Sequence, residues 1–170
     1  MKSPIVRRFL KRKVSVVGLV ILVIFFLMAT IGPFLCQNDP LEQDTPNKNL
    51  GPSLEHWFGT DYLGRDTFTR IVYGARVSLS ISFAGVLSGC FIGIIMGVCA
   101  GYFGGVTDAV ISRVIDVLLA FPGLLLAIVI VAILGNGTQN TIIAIAVFAI
   151  PSIARMVRGV VIGNKNAQYI

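Results

Sequence analysis

The feature that most constrains this chain is a run of 18 uncharged residues, Val14 to Ile31, directly after the basic cluster Lys2, Arg7, Arg8, Lys11, Arg12 and Lys13. In hydrocarbon every backbone N–H and C=O must find a partner within its own segment, so a run this long and apolar crosses as a helix. Taken as about Val14–Leu35, it is the first of four such runs. The others lie at about Val77–Tyr102, Ile111–Leu134 and Thr141–Ile162. The chain therefore reads as an all-α membrane protein with four predicted transmembrane helices. Only 13% of its residues are charged, against about 25% in soluble domains. The first run is longer than the roughly 7–15 apolar residues of a cleaved leader. The bulky stretch Gly32-Pro33-Phe34-Leu35-Cys36 offers no small-x-small cleavage site, so this is a retained signal anchor.

The net charge of +6 does not mark a nucleic-acid binder, because the basic residues cluster at the membrane anchor and no stacking aromatics interleave with them. With the N-terminus inside, the inner segments hold ten basic residues: the N-terminal six, Arg113, Arg155, Arg158 and Lys165. The loop Gln37–Arg76 holds four (Lys48, Arg65, Arg70, Arg76) and six of the eight acids. This bias places both termini in the cytoplasm. Cys36, Cys90 and Cys99 have no metal or redox spacing. Cys90 and Cys99 face opposite sides of one helix, which leaves them as small apolar residues.

Within the polar loop, Phe68, Ile71, Val72 and Ala75 recur at helical spacing and predict a short interfacial helix, with Asp66 as its N-cap and Arg70 as its i,i+4 partner. Asp61, Arg65, Asp66 and Arg76 admit two readings. They form a charge-laced turn that shapes the loop, or they act directly in outer gating or docking. In the second run, Gly85, Gly89, Gly93, Gly97 and Gly101 fall every fourth residue and Gly105 extends the series. Helices in lipid associate by close backbone approach, so such a strip is a packing groove, for this chain's own helices or for a partner's. The third run opens with Asp108, Arg113 and Asp116, the last two spaced to pair, and is interrupted at Pro122-Gly123, a candidate hinge with Pro151 of the fourth run. Arg155 and Arg158 are spaced to snorkel to the inner headgroups.

The block His56-Trp57-Phe58-Gly59-Thr60-Asp61-Tyr62-Leu63-Gly64-Arg65-Asp66, continued by Arg70 and Gly74-Ala75-Arg76-Val77-Ser78-Leu79, resembles the pattern H-x-F-G-T-D-x-x-G-R-D-x-x-x-R-x-x-x-G-A-R-x-S-L. That pattern stands between the first two spans of C-type permease subunits of dipeptide, oligopeptide and nickel ABC importers. Asp116–Ile128, around Phe121-Pro122-Gly123, and Ile150–Gly159, around Pro151 and Arg155, extend the resemblance over nearly the whole chain. The resemblance implies a six-helix type I importer permease fold, with an N-terminal region at 1–55, the loop at 56–76 and a partial transmembrane domain at 77–170. It implies a bacterial inner-membrane protein working with a second permease subunit, two cytoplasmic ATPases, an extracytoplasmic binding protein and membrane lipid. Dipeptides, longer peptides, glutathione-like peptides and nickel chelates are all within the family's range.

The chain has no Gly-Lys dipeptide and so no Walker A loop; ATP is expected on the partner ATPases, and no cofactor or metal is expected here. His56 with Asp61 and Asp66 leaves a membrane-embedded hydrolase as the rival to transport. The family's E-A-A-x-x-x-G docking loop would follow the fourth span, and Gln168-Tyr169-Ile170 precedes it. The chain is therefore expected to be a truncated form, active only with that loop supplied, or an inert fragment.

Overall fold

The computed structural model describes residues 12–36 and 39–165, so the basic residues Lys2, Arg7, Arg8 and Lys11 lie outside the described residues. The described residues form six α-helices: α1 Lys13–Thr30, α2 Gly32–Leu35, α3 Thr67–Phe103, α4 Gly105–Ala120, α5 Gly123–Leu134 and α6 Thr138–Lys165. They form two compact units, Met1–Leu79 and Ser80–Ile170, with the boundary inside α3. The described residues contain no strand, only an isolated bridge between Thr60 and Asp66.

In the first unit, α1 is apolar all round, and Ala29 is its one buried residue. Among the described residues most of its Leu, Val, Ile and Phe side chains are exposed, as in a lipid-facing helix. It ends where Thr30 Oγ1 donates back to the Phe26 carbonyl at 2.8 Å. Pro33 then sits in the first turn of α2, where its missing N–H costs nothing. Gly32 meets the start of α3: a Cβ there would stand 2.6 Å from Val72 Cγ1. Val72 is fully buried, and with Thr69 it forms the centre of this unit.

Helix α3 corrects one expectation. The interfacial helix expected over Phe68–Ala75 is not separate; it is the first turns of one 37-residue helix. At 1.5 Å per residue this helix is about 55 Å long, well over the roughly 30 Å of a bilayer core.

In the second unit the third expected span is two helices. Pro122 lacks an N–H and drives the preceding residue out of the helical region, and Phe121 accordingly sits at φ −90°, ψ 139°. The result is a 92° bend between α4 and α5, not a kink in one rod. Helix α6 runs unbroken through the buried Pro151.

The register of α3 on α6 settles the path of the chain. A Cβ at Gly85, Gly89, Gly93, Gly97 or Gly101 would meet Ile145, Ala149, Ile153, Val157 or Val161 in turn, each sixty residues further along. A constant offset means that α3 and α6 point the same way. The chain must therefore return between them, and α4 and α5, both packed on α6, make that return. Helix α5 is only about 18 Å long and cannot cross a bilayer core alone. Counting the bent pair as one span gives four spans, and the three straight candidates are α1, α3 and α6.

Candidate functional site

The loop before α3 is built around two aspartates. Asp61 Oδ1 accepts from the backbone N–H of Leu63 at 2.8 Å and of Arg65 at 3.0 Å. Its Oδ2 accepts from Arg65 Nε at 2.8 Å and from Arg70 Nη1. Desolvation works against its charge, but those N–H groups and the Arg65 guanidinium outweigh it and hold the carboxyl at about 2. The Asp66–Arg70 pair expected from spacing is thus replaced. Arg70 reaches back to Asp61, because Asp66 is turned inward and only 7% exposed.

Asp66 caps α3. Its Oδ2 accepts from Thr69 N–H at 2.7 Å, and its Oδ1 lies 3.1 Å from His56 Nδ1. Burial opposes its ionisation, yet the Thr69 and His56 contacts bring its pKa below the ordinary value. Of the three groups that suggested a hydrolase, Asp66 caps the helix with His56 against it, and Asp61 organises the preceding turn. Arg76 lies on α3 ten residues beyond this cap.

Two glycines let the loop close. Gly59 at φ +71° and Gly64 at φ +80° occupy left-handed backbone, and a Cβ at Gly64 would stand 1.8 Å from the Asp44 carbonyl oxygen. Thr60, which sequence reasoning passed over, ties the loop's two arms: its hydroxyl donates to the Asn47 carbonyl at 2.6 Å and accepts from Leu50 N–H at 2.9 Å.

In the second unit the charges near the ends of α4 and α6 are brought together. Arg158 donates from Nε to Asp108 Oδ1 at 2.5 Å and from Nη2 to Oδ2 at 2.6 Å, and Ser112 adds a 3.1 Å bond to the same carboxylate. Arg155 Nη2 reaches Asp116 Oδ1 at 2.6 Å. This corrects one expectation: Asp116 pairs with Arg155 rather than Arg113. A carboxylate across a helix interface offers a guanidinium a directed, charge-assisted partner. Lys165 Nζ donates to the Tyr102 carbonyl at 2.8 Å, a cation on the C-terminal end of α3.

Pro122 and Gly123 stand at the α4–α5 break. A Cβ on Gly123 would lie 2.1 Å from Phe148 Cε2, so glycine is what lets α5 seat on α6. Beyond α5, Asn140 Nδ2 donates to the carbonyls of Leu134 and Gly135 at 2.8 and 2.9 Å, closing its C-terminal end. No cluster suited to a metal ion occurs among the described residues.

Comparison with known proteins agrees with this architecture. Residues 4–52 match the N-terminal TM domain of oligopeptide transport permease C. Residues 89–170 match the binding-protein-dependent transport system inner membrane component. The dipeptide transport system permease protein DppC of Alkalihalophilus pseudofirmus is 47% identical over 160 residues, covering 94% of this chain and 53% of that protein. DppC of Bacillus subtilis is 44% identical over 164 residues, 96% of this chain and 51% of the relative. The glutathione transport system permease protein GsiD of Escherichia coli O6:K15:H31 is 43% identical over 165 residues, 96% of this chain and 54% of the relative. The chain spans about half the length of these curated relatives. Both matches fall in order along a chain of apolar helices, so this multi-pass membrane protein belongs to the family of binding-protein-dependent transport inner-membrane components, with the N-terminal domain of oligopeptide permease C.

Proposed function

We propose that the chain forms part of the translocation pathway of an ABC importer for small peptides, in a bacterial inner membrane, with its N-terminus in the cytoplasm. The observation that carries this reading is the 43–47% identity to dipeptide and glutathione permease subunits across about 95% of the chain. The geometry supports it. The helices that would line a pathway hold few ionisable groups, and both aspartates of α4 are paired with arginines of α6, as suits peptides with varied side chains better than a single charged ion.

In this reading a second permease subunit completes the pathway, two cytoplasmic ATPases supply the energy and a binding protein delivers the peptide. The α4–α5 bend at Pro122-Gly123 is the hinge. Asp61, Arg65, Asp66 and Arg76 shape the outer face on which the binding protein acts. Arg113, Asp116, Arg155 and Arg158 lie on the cytoplasmic side.

The test is a chimaera in which this chain replaces the matching region of Bacillus subtilis DppC in cells lacking their own copy. ATP-dependent uptake of labelled dipeptide should persist. Loss of uptake by a chimaera that still reaches the membrane and binds its partners would sink the proposal. Peptide cleavage by the purified chain, without ATPases, would favour the hydrolase instead.

A further inference from the structure

The loop between α2 and α3 carries two neighbouring hollows that share Glu55 and Asp66. One, a groove, is walled by Leu35, Cys36, Leu54, Trp57, Phe68 and Thr69 together with those two carboxylates. The other adds Asp39, Glu42, Asp44 and His56 to the same pair. The apolar residues of the first hollow are open: Leu54 is 97% exposed, Leu35 71% and Trp57 62%, and outside it Phe34 and Tyr62 are exposed as well. Trp57 and Phe58 are held in place by Phe68, with ring centroids 4.9 and 5.5 Å away. These two rings are thus anchored on the first turn of α3.

Its location identifies what covers it. Helix α1 is apolar all round and runs directly into α2, and Gly32 of α2 touches Val72 near the start of α3. The end of one membrane helix and the beginning of the next thus meet in this unit, and the aromatic loop sits at their junction. The exposed apolar surface of α1 continues through Phe34 and Leu35 into the groove. Trp and Tyr, with an apolar body and a polar edge, favour the headgroup level. The acidic hollow would be repelled by anionic headgroups and belongs on the aqueous side.

We propose that residues 54–62 form a monotopic anchor. Leu54, Trp57 and Tyr62 insert into the bilayer interface at the end of α1, so that the loop lies flat on the membrane with its acidic face toward water. The anchor fixes the start of α3, through Phe68 and the Asp66 cap, at a set depth.

Trp57 is the sole tryptophan, which makes the test direct. The chain is reconstituted in vesicles whose lipids carry bromine near the carboxyl end of the acyl chain, and separately near the methyl end. The shallow bromines should quench Trp57 emission roughly two-fold, and more than the deep ones, as an interfacial residue requires. Leu54→Asp changes a side chain almost wholly in the open; it should weaken the lipid quenching and raise quenching by aqueous iodide, with far-UV circular dichroism unchanged. Emission unaffected by either brominated lipid would overturn the anchor, and would leave a protein partner as the occupant of the groove. Stronger quenching by the deep bromines would also overturn it, by placing Trp57 within the hydrocarbon.

Discussion

Asp108 on α4 and Arg158 on α6, fifty residues apart in sequence, meet as a two-pronged pair, Nε on Oδ1 and Nη2 on Oδ2. The fork ties the first half of the bent α4–α5 pair to the helix that α3 packs against. The Asp116–Arg155 bond lies on the same two helices but is far more exposed. Solvent screens an exposed pair more strongly. Arg158→Ala should therefore lower the melting temperature in detergent by several degrees, and Arg155→Ala by less. The exchange Asp108→Arg with Arg158→Asp should recover part of the loss. Equal, negligible effects at both arginines would show that the fork does not hold α4 in place.

The α3–α6 contact depends on having no Cβ at five positions. Gly97 lies closest: a Cβ would stand 2.6 Å from the Ala154 carbonyl oxygen and 2.8 Å from Val157 Cβ. Gly97→Leu should cost about 1–3 kcal/mol by overpacking, seen as a lower unfolding midpoint in detergent. Ile95 is half exposed, and Ile95→Leu should leave that midpoint unchanged. If Gly97→Leu were as harmless as Ile95→Leu, the parallel α3–α6 packing would be wrong.

The Asp61 carboxyl lies below its unfolded value, so its contribution to loop stability is complete above pH about 3.8 and is lost as pH falls toward about 2. Limited pepsin digestion across that interval should cut the loop increasingly as Asp61 is protonated. Asp61→Asn keeps the size but loses the charge that holds Arg65 and Arg70, and it should be cut readily even at the upper end. A variant that followed the wild-type profile would remove Asp61 as the loop's organiser.

Cys36 follows α2, whereas Cys90 and Cys99 lie within α3. With the N-terminus cytoplasmic, a membrane-impermeant thiol reagent added to whole cells, with any outer membrane made permeable, should label Cys36 and spare the other two. Labelling of Cys36 only after the inner membrane is broken would reverse the orientation.

Long apolar runs have no stable alternative to a helix in lipid, so α1, the apolar part of α3 and α6 were legible from hydropathy alone, each to within a few residues. The strip of glycines every fourth residue also announced a close helix contact. Which helix would fill it was open, because a groove does not name its ridge; the answer, α6 in parallel, required the fold. Pro122 announced a disturbance, but the 92° bend and the seating of Gly123 against Phe148 are visible only in the fold. Charge pairing was read least well. Sequence spacing offers only neighbours on one helix, Asp66 with Arg70 and Arg113 with Asp116. Tertiary packing offers neighbours on another helix or across a turn, and there Asp61 took Arg70, Asp116 took Arg155 and Asp108 took Arg158. Hydrophobicity acts on each segment independently of its surroundings and is visible in the chain itself. An ion pair depends on two groups arriving within a few ångströms, and only the tertiary structure decides that.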